Sequence, residues 1–525
     1  MTTFQVANID YIAILPLLIV FGTAVIGVLV EAFVGRERRH TIQATLAVAG
    51  LLAAFVAVIV ATGHMGLTLG HVDTATDRHL FALSIDGPAL FMQGALLLLS
   101  VLGVLTMAER LGGTGSDTFT PSGASTPGSQ IEAVSARAGL ITSEVFPLAM
   151  ISVGGMMLFP TVNDLIGMFV ALEVLSLPLY VLTGLARRRR LLSQEASLKY
   201  FLLGAFSSAF FLFGTALLYG YAGSVYFRDL SQAVSAGPIS MNGLLVPGAF
   251  LVFVGLFFKI GAVPFHAWTP DAYQGAPTPV TGFMAACTKA AAFGAILRLA
   301  YTGLDTARWE WTNGLIVVAI LTMVVGSVLA VTQTDMKRLL AYSAISHAGF
   351  ILVGVIAFDQ KGISSVLFYT VAYGFSTIAA FAIVGLVRQG GSEATHLSQW
   401  AGLGRNHPLV AGTFAFLLLA FAGIPLTSGF VAKYVVFSAA IGTGGATGTG
   451  LVIIGIVCSA ITVFVYLRII VLMYFSDAPD DTVAFVTPSA VTTFSIAIGT
   501  MVTLALGVLP AALLDLADRS SVFIR

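Results

Sequence analysis

An all-α protein that crosses a membrane many times is what this sequence predicts, and three observations predict it. Only 10% of the 525 residues are charged and 57% are hydrophobic, where soluble domains carry about 25% charged residues. Mean hydropathy is +0.96. The apolar residues also arrive in windows of roughly 20, the length of a helix that spans hydrocarbon. Backbone that faces lipid must satisfy its own hydrogen bonds, so such windows fold as helices.

In chain order the expected spans are 9–34, 41–62, 84–109, 144–160, 164–186, 197–221, 243–268, 279–301, 314–334, 339–358, 362–388, 409–440, 451–475 and 488–516, about 14 in all. The first is too long for a signal-peptide core and lacks a convincing cleavage site, so it reads as a span rather than a removed leader. An even count puts both termini on one side. Arg36, Arg38, Arg39, Arg110, Arg137, Arg187, Arg188, Arg189, Arg190, Lys337, Arg338, Arg388 and Arg405 fall on the exit side of the first span. The opposite side holds Arg78, Arg228, Arg308, Lys361, Arg519 and Arg525. The excess of basic residues makes the first side cytoplasmic, with both termini on the outer side.

The chain reads as a single membrane domain, 1–525. Within it lie a three-helix segment at 1–110, a connector at 111–143, a first repeat at 144–303, a second inverted repeat at 312–476, and a C-terminal helix and tail at 488–525. The connector contains GGTGSDTFTPSGASTPGSQ, a composition expected to be disordered or loosely held at the cytoplasmic face. Gly442–Gly450 is expected to be a second flexible loop. The repeat rests on two matching interruptions. Lys259 is followed by Gly261, Pro264 and His266; Gly423 and Pro425 are followed by Ser428, Gly429 and Lys433. They lie five spans apart, an odd number, so the copies run oppositely through the membrane. Paired inverted repeats of five helices, each with a discontinuous helix, are the pattern of many transporters.

Composition also excludes classes of function. Net charge is zero, so nothing points to nucleic acid. Cys287 and Cys458 are far apart in apolar segments, which predicts no disulfide framework, metal site or iron–sulfur cluster. No nucleotide-binding glycine signature follows a strand-like run, so no redox cofactor is expected on this chain.

Four ionisable groups fall inside spans, where charge costs about 2.5–3.5 kcal/mol on insertion scales. Lys289 lies ten residues after Pro279, about 15 Å deep at a helical rise, half of a ~30 Å core. Glu173 follows Asp164 by nine residues, Lys259 precedes Trp268 by nine and Lys433 precedes Gly442 by nine, each about 13 Å. If their helices touch, the four form a row parallel to the membrane. A desolvated lysine gives up its proton more readily, and a nearby carboxylate restores its hold, so Glu173 beside Lys259 would decide whether that lysine stays charged. Breaks at Gly261, Pro264, Gly423 and Pro425 would act as hinges, free backbone carbonyls and admit water. His266 and His347 are candidate relays, and Lys199 is a further one.

Plainer readings stand beside these. The four charges can be ion pairs that fix packing, and the histidines can be hydrogen-bonded core residues. Glu195 and Lys199 at i,i+4 suit a helix-surface salt bridge. Arg298 and Arg468 are expected to snorkel from span ends. Asp86, Glu144 and Asp164 start helices, where an anion suits the dipole. The run Arg187–Arg190 reads as a topology signal, with contact to anionic lipid second.

Six stretches now carry a resemblance: ALEVLSLPLYVL at Glu173, EASLKYFLLGAFSSAFFLFG at Lys199, FKIGAVPFHAWTPDAYQGAPTPVTGF from Phe258, CTKAAAFGAILRL at Lys289, DMKRLLAYSAISHAGF from Asp335, and AGIPLTSGFVAKY at Lys433. With them the chain resembles the antiporter-like subunits of respiratory complex I and the related multisubunit cation/proton antiporters, most strongly from Asp164 to Leu472. The resemblance implies a proton-translocating role for Glu173, Lys259, Lys289 and Lys433, in a bacterial plasma membrane. It implies that flavin, iron–sulfur clusters and quinone belong to partner subunits. Those partners would include a neighbouring antiporter-like subunit M and small membrane subunits. Subunit M resembles this pattern but has glutamate where Lys433 stands, and subunit L carries a long lateral helix and extra spans. The expected function is a proton-translocating membrane subunit of NADH-quinone oxidoreductase, coupling electron transfer on partner subunits to proton pumping. A multisubunit cation/proton antiporter subunit and a membrane scaffold are the alternatives.

Overall fold

The computed structural model describes residues 9–73, 78–110, 117–123, 125–137, 142–237, 242–389, 392–442, 445–477 and 484–524. Two long helices open the chain, α1 (Leu15–Phe33) and α2 (Arg36–Ala61), followed by an antiparallel hairpin, β1 (Gly66–Asp73) and β2 (Arg78–Ile85), with Gly66 opposite Ile85. Then come α3 (Gly87–Met107), the short α4 (Gln130–Arg137), α5 (Val145–Leu158), α6 (Leu165–Thr183), α7 (Arg190–Ala222) and the surface helix α8 (Phe227–Ala236). The first broken helix is α9 (Asn242–Ile260) with α10 (Trp268–Gly275). A single span, Thr278–Gly303, contains α11 (Thr278–Phe283), a π turn at Met284–Thr288, α12 (Lys289–Arg298) and a second π turn at Leu299–Gly303. After α13 (Arg308–Thr332), α14 (Met336–Ile356) and α15 (Gln360–Leu386), β3 (Val387–Gln389) and β4 (Ser392–Glu393) form a small sheet, with α16 (Leu403–Asn406) beyond. The second broken helix is α17 (Pro408–Ala422) with α18 (Ser428–Gly442); α19 (Ala446–Phe475), β5 (Ala484–Phe485), α20 (Ala490–Val508) and α21 (Ala511–Arg519) complete the chain. β3 pairs with both β4 and β5.

Among the described residues, 12 helices are long and apolar enough to cross a membrane. The expected 14 is reached only by adding α5, and α17 with α18, which are shorter apolar helices. The helices start where short side chains cap them. Asp86, Asp164 and Asp359 accept from the N–H groups of Ala89, Gly167 and Gly362, and Asp335 from those of Lys337 and Arg338. Glu144 stands before α5 but makes no side-chain cap. The span Thr278–Gly303 and α15 are the innermost elements, wholly buried over their apolar windows, while α1 and α20 are largely exposed. That inverts the pattern of a soluble protein, because the surroundings of this bundle are hydrocarbon and exposed Leu and Val cost nothing there.

Six sequence expectations need correction or extension. The connector 111–143 is not loosely held over its described residues. Arg187 donates to the Asp117 carboxylate at 2.6 Å, and Arg190, 6% exposed, donates to the carbonyls of Ser122 at 3.0 Å and Ser125 at 2.9 Å. A guanidinium with five donors turns a Gly/Ser/Thr segment into its acceptor shell. The remaining connector residues 111–116, 124 and 138–141 lie outside the described ones, as do 443–444 and Arg525. The Arg187–Arg190 run is thus an anchor as well as a charge signal, with Arg189 donating to Thr395 at 2.7 Å. Gly442–Gly450 is mostly helix, since α18 ends at Gly442 and α19 begins at Ala446.

Arg298 does not snorkel. Its side chain is fully buried and clamps Asp86 through two 2.6 Å hydrogen bonds, with Nε on the Pro160 carbonyl at 3.0 Å. The Phe523 ring covers the guanidinium at 4.8 Å and the Ile524 N–H donates to Asp86 at 3.0 Å. Arg468 caps the end of α13, donating to the carbonyls of Val331 at 2.8 Å and Gln333 at 2.7 Å. In both cases the nearest acceptors are protein groups, so the side chain has no need to reach water. Last, the hairpin at 66–85 was not expected in an all-α chain.

Candidate functional site

The sequence of the first break forces its shape. α9 ends at Ile260 because Gly261 adopts φ +72° and Pro264 follows across a cis Val263–Pro264 bond, so neither residue can extend the helical ladder. The freed groups find partners: Trp268 Nε1 donates to the Phe258 carbonyl at 2.8 Å and the Val263 N–H to Thr322 Oγ1 at 3.0 Å. Lys259, 2% exposed, lies in the last turn of α9, two residues before Gly261. Its Nζ is 3.5 Å from Tyr180 Oη and faces the rings of Tyr180, Tyr200 and Phe258 at 5.3, 5.6 and 5.6 Å. Ring faces attract a cation but do not replace its hydration.

Glu173 shares α6 with Tyr180. It accepts from Ser208 Oγ on α7 and acts electrostatically on Lys259, though the two make no ion pair within 4 Å among the described residues. Ile166, Val170, Leu177 and Val181 form the outward ridge of α6, each about half exposed. Glu173, half-buried, falls on that ridge. A carboxylate there faces out of this chain as well as toward Lys259.

The second break gathers the remaining groups. α17 ends at Ala422 with Gly423 at φ +81° and Leu426 at φ +70°, and Pro425 lies exposed between them. Lys433 reaches back from α18 to the orphan carbonyls of Phe421 at 3.1 Å and Ala422 at 2.8 Å, and to Ser459 Oγ at 2.8 Å. A cation at a helix C-terminus also suits the helix dipole. Lys289 opens α12 immediately after the π turn and donates to the Ala344 carbonyl of α14, over the Tyr373 ring at 5.7 Å. His347, one turn further along α14, bonds Tyr369 Oη through Nδ1 at 2.7 Å and packs on Tyr373 at 4.9 Å and Phe421 at 5.9 Å.

The structure therefore gathers Lys289, His347 and Lys433 around shared rings, and separately sets Lys259 against Tyr180 on the helix that carries Glu173. No direct side-chain contact joins Lys259 to Lys289 among the described residues. His266 is not between them: it lies in the first break beside Tyr342, ring centroids 6.5 Å apart, with Nδ1 unpartnered. Lys199 is outside the buried set. It is exposed and bridges Glu195 at 2.7 Å and Asp271 at 3.1 Å, which is the surface salt bridge that the i,i+4 spacing predicted.

What sequence reasoning missed is the tyrosines. Tyr180 stacks edge-on against Tyr200 at 4.5 Å, Tyr200 lies flat on Trp268 at 4.3 Å, and Trp268 meets Tyr273 at 6.4 Å. Tyr273 in turn meets Phe381 edge-on at 6.1 Å. Three phenols and the Trp268 indole thus form a run of rings leading away from Lys259. Their only sequence signal was the set of tyrosines inside apolar windows that also carry a charge.

The family model described as NADH:quinone oxidoreductase/Mrp antiporter, TM, matches residues 162–462. NADH-quinone oxidoreductase subunit N of Rhodococcus opacus is 54% identical, covering 100% of this chain and 98% of that protein. The Mycobacterium tuberculosis protein of the same name is 50% identical, covering 99% of each. Among solved structures, a chain of respiratory complex I from Thermus thermophilus with bound Aureothin is 30% identical with TM-score 0.75, covering 96% of this chain and 99% of its own. A chain of the Mrp complex from Dietzia shares the fold at TM-score 0.77 and 23% identity, covering 97% of each.

Proposed function

We propose, from the premise that this chain belongs to the NADH:quinone oxidoreductase/Mrp antiporter membrane family, that its two clusters of buried lysine are successive stations for protons. The chain is a proton-translocating membrane subunit of NADH-quinone oxidoreductase, crosses the membrane many times, and works beside the other membrane subunits of complex I. Its sequence resemblance to subunit N agrees with the names of its relatives. The reading that goes further assigns Glu173 as the carboxylate that decides the charge on Lys259. Lys289 is the central station, His347 the relay, and Lys433 the terminal one. Flavin, iron–sulfur clusters and quinone belong to partner subunits, and both termini lie on the outer side. The outward position of Glu173 suits a carboxylate that senses a neighbouring subunit, with subunit M the proposed neighbour.

The observation that carries this reading is the middle of α14. Lys289 donates to the carbonyl of Ala344, and His347, three residues on, lies against Phe421, whose carbonyl Lys433 holds at 3.1 Å. Two lysines from different helices thus converge on one helical turn with an imidazole between them. Intramembrane charges placed so are functional by default. Lys289→Ala in the assembled complex tests it, with proton uptake into vesicles measured against quinone reduction. Coupled pumping should disappear while the complex stays assembled; normal pumping by an assembled variant overturns the assignment. Flavin and iron–sulfur absorbance in the purified complex separates this reading from an antiporter without redox partners.

A further inference from the structure

We infer that Tyr369 is the positioning residue that fixes which nitrogen of His347 carries the proton at rest, an inference that rests on the relay role proposed for His347. His347 is 3% exposed and Tyr369 is 1% exposed, so both side chains are out of bulk solvent. Its Nδ1 is 2.7 Å from Tyr369 Oη. The ring also packs against that of Phe421 at 5.9 Å, the residue whose carbonyl accepts from Lys433 Nζ at 3.1 Å.

The Tyr369 hydroxyl has no other hydrogen-bond partner among the described residues, so its one hydrogen goes to Nδ1, which is the acceptor. A neutral imidazole carries a single ring hydrogen, which then sits on Nε2. The opposite tautomer would leave the phenol hydrogen without an acceptor, and such a loss is costly in a buried site. At rest, then, the His347 hydrogen is on Nε2, and Nδ1 is the basic nitrogen on the side of Tyr369. The frame holds the ring in place: Tyr373 at 4.9 Å and Phe350 at 5.8 Å enclose it.

Solid-state NMR of the assembled complex carrying nitrogen-15 histidine tests this, with the His347 signal identified by its loss in His347→Gln. The expected result is an Nε2–H tautomer in the parent. In Tyr369→Phe the two tautomers should mix, with coupled pumping slowed by about a hundredfold, the lower end of what a positioned proton-transfer group contributes. The pH profile of pumping should move as well, whereas a merely structural tyrosine would lower the amount of complex and leave that profile in place. An Nδ1–H tautomer in the parent overturns the inference, as does an unchanged tautomer and pH profile in an assembled Tyr369→Phe. If Tyr369→Phe fails to assemble, the parent tautomer alone decides. Normal pumping by His347→Gln would instead remove the relay reading, an outcome independent of the tautomer measured.

Discussion

The two broken helices hold their lysines in opposite ways. In the first, Lys259 precedes the break and rests on three aromatic faces with one hydroxyl at 3.5 Å. The freed backbone at that break is taken up by Trp268 and Thr322 instead. In the second, Lys433 follows the break and itself satisfies two freed carbonyls and a serine within 3.1 Å. A lysine that no fixed acceptor claims depends for its charge on what comes near it, and Glu173 is the group proposed to do so. A lysine that caps a helix end has a structural duty in addition. The difference teaches that the two copies of one sequence pattern, a Gly/Pro cluster with a buried lysine, need not be mechanically equivalent. In the first copy the break is fastened by neighbours, so Gly261 and Pro264 set a fixed kink there.

Substitutions can break or sharpen this contrast. The reference point is Arg298→Met, which strands the buried Asp86 carboxylate and should destabilise the protein by about 3–5 kcal/mol, seen as a large fall in the unfolding temperature of the purified chain. Lys433→Met should come next. It leaves the Phe421 carbonyl without its donor and the Ala422 carbonyl with only the Ser459 hydroxyl at 3.4 Å, a cost of about 1–3 kcal/mol. Lys259→Met should leave the unfolding temperature unchanged or raised, since it removes a desolvated charge and only one weak hydrogen bond. Equal destabilisation by the two lysine variants would erase the distinction drawn here, although both should stop coupled pumping. Glu173→Gln should keep the Ser208 bond and the fold, while slowing pumping by about a hundredfold; pumping at the parental rate would free Lys259 from its supposed control.

The smallest effect concerns Glu393, outside the spans. Burial pushes its carboxyl up, but Lys337, the Thr278 hydroxyl and Arg388 outweigh that and leave it below the ordinary 4.5. A carboxyl lowered on folding contributes stability that is present above 4.5 and is lost as the pH falls through its folded-state value. Glu393→Gln should therefore flatten the acid side of the stability curve. An acid limb of unchanged steepness in that variant would show that Glu393 is not the group responsible.

Much of the site was legible because charge and helix-breaking residues stand out against apolar sequence. Glu173, Lys259, Lys289 and Lys433 were visible for that reason, and Gly261, Pro264, Gly423 and Pro425 mark the breaks where the chain does leave the helix. Tyr200, Tyr273 and Tyr369 were not legible, since tyrosine belongs as readily to a packed core as to a polar path and only the distance to a partner separates the two. His266 misled for a related reason: adjacency in sequence to Lys259 does not place it beside Lys289. The connector looked disordered because its composition is poor in apolar residues, and no composition reveals that Arg190, some 65 residues on, will collect its carbonyls. The hairpin did leave a trace, in the alternation of GLTLGHVD and RHLFALSI, but a run of long apolar windows on either side drowned it.

The π turn at Met284–Thr288 ends where Lys289 begins α12. Such a turn is one residue of slack wound into the span. Excising a single residue from it would tighten the helix and swing everything beyond by about 100°, so that the ammonium of Lys289 would turn from α14 to another wall. The compass bearing of this one charge is thus set by a count of residues, a property that no side-chain substitution in the span can imitate.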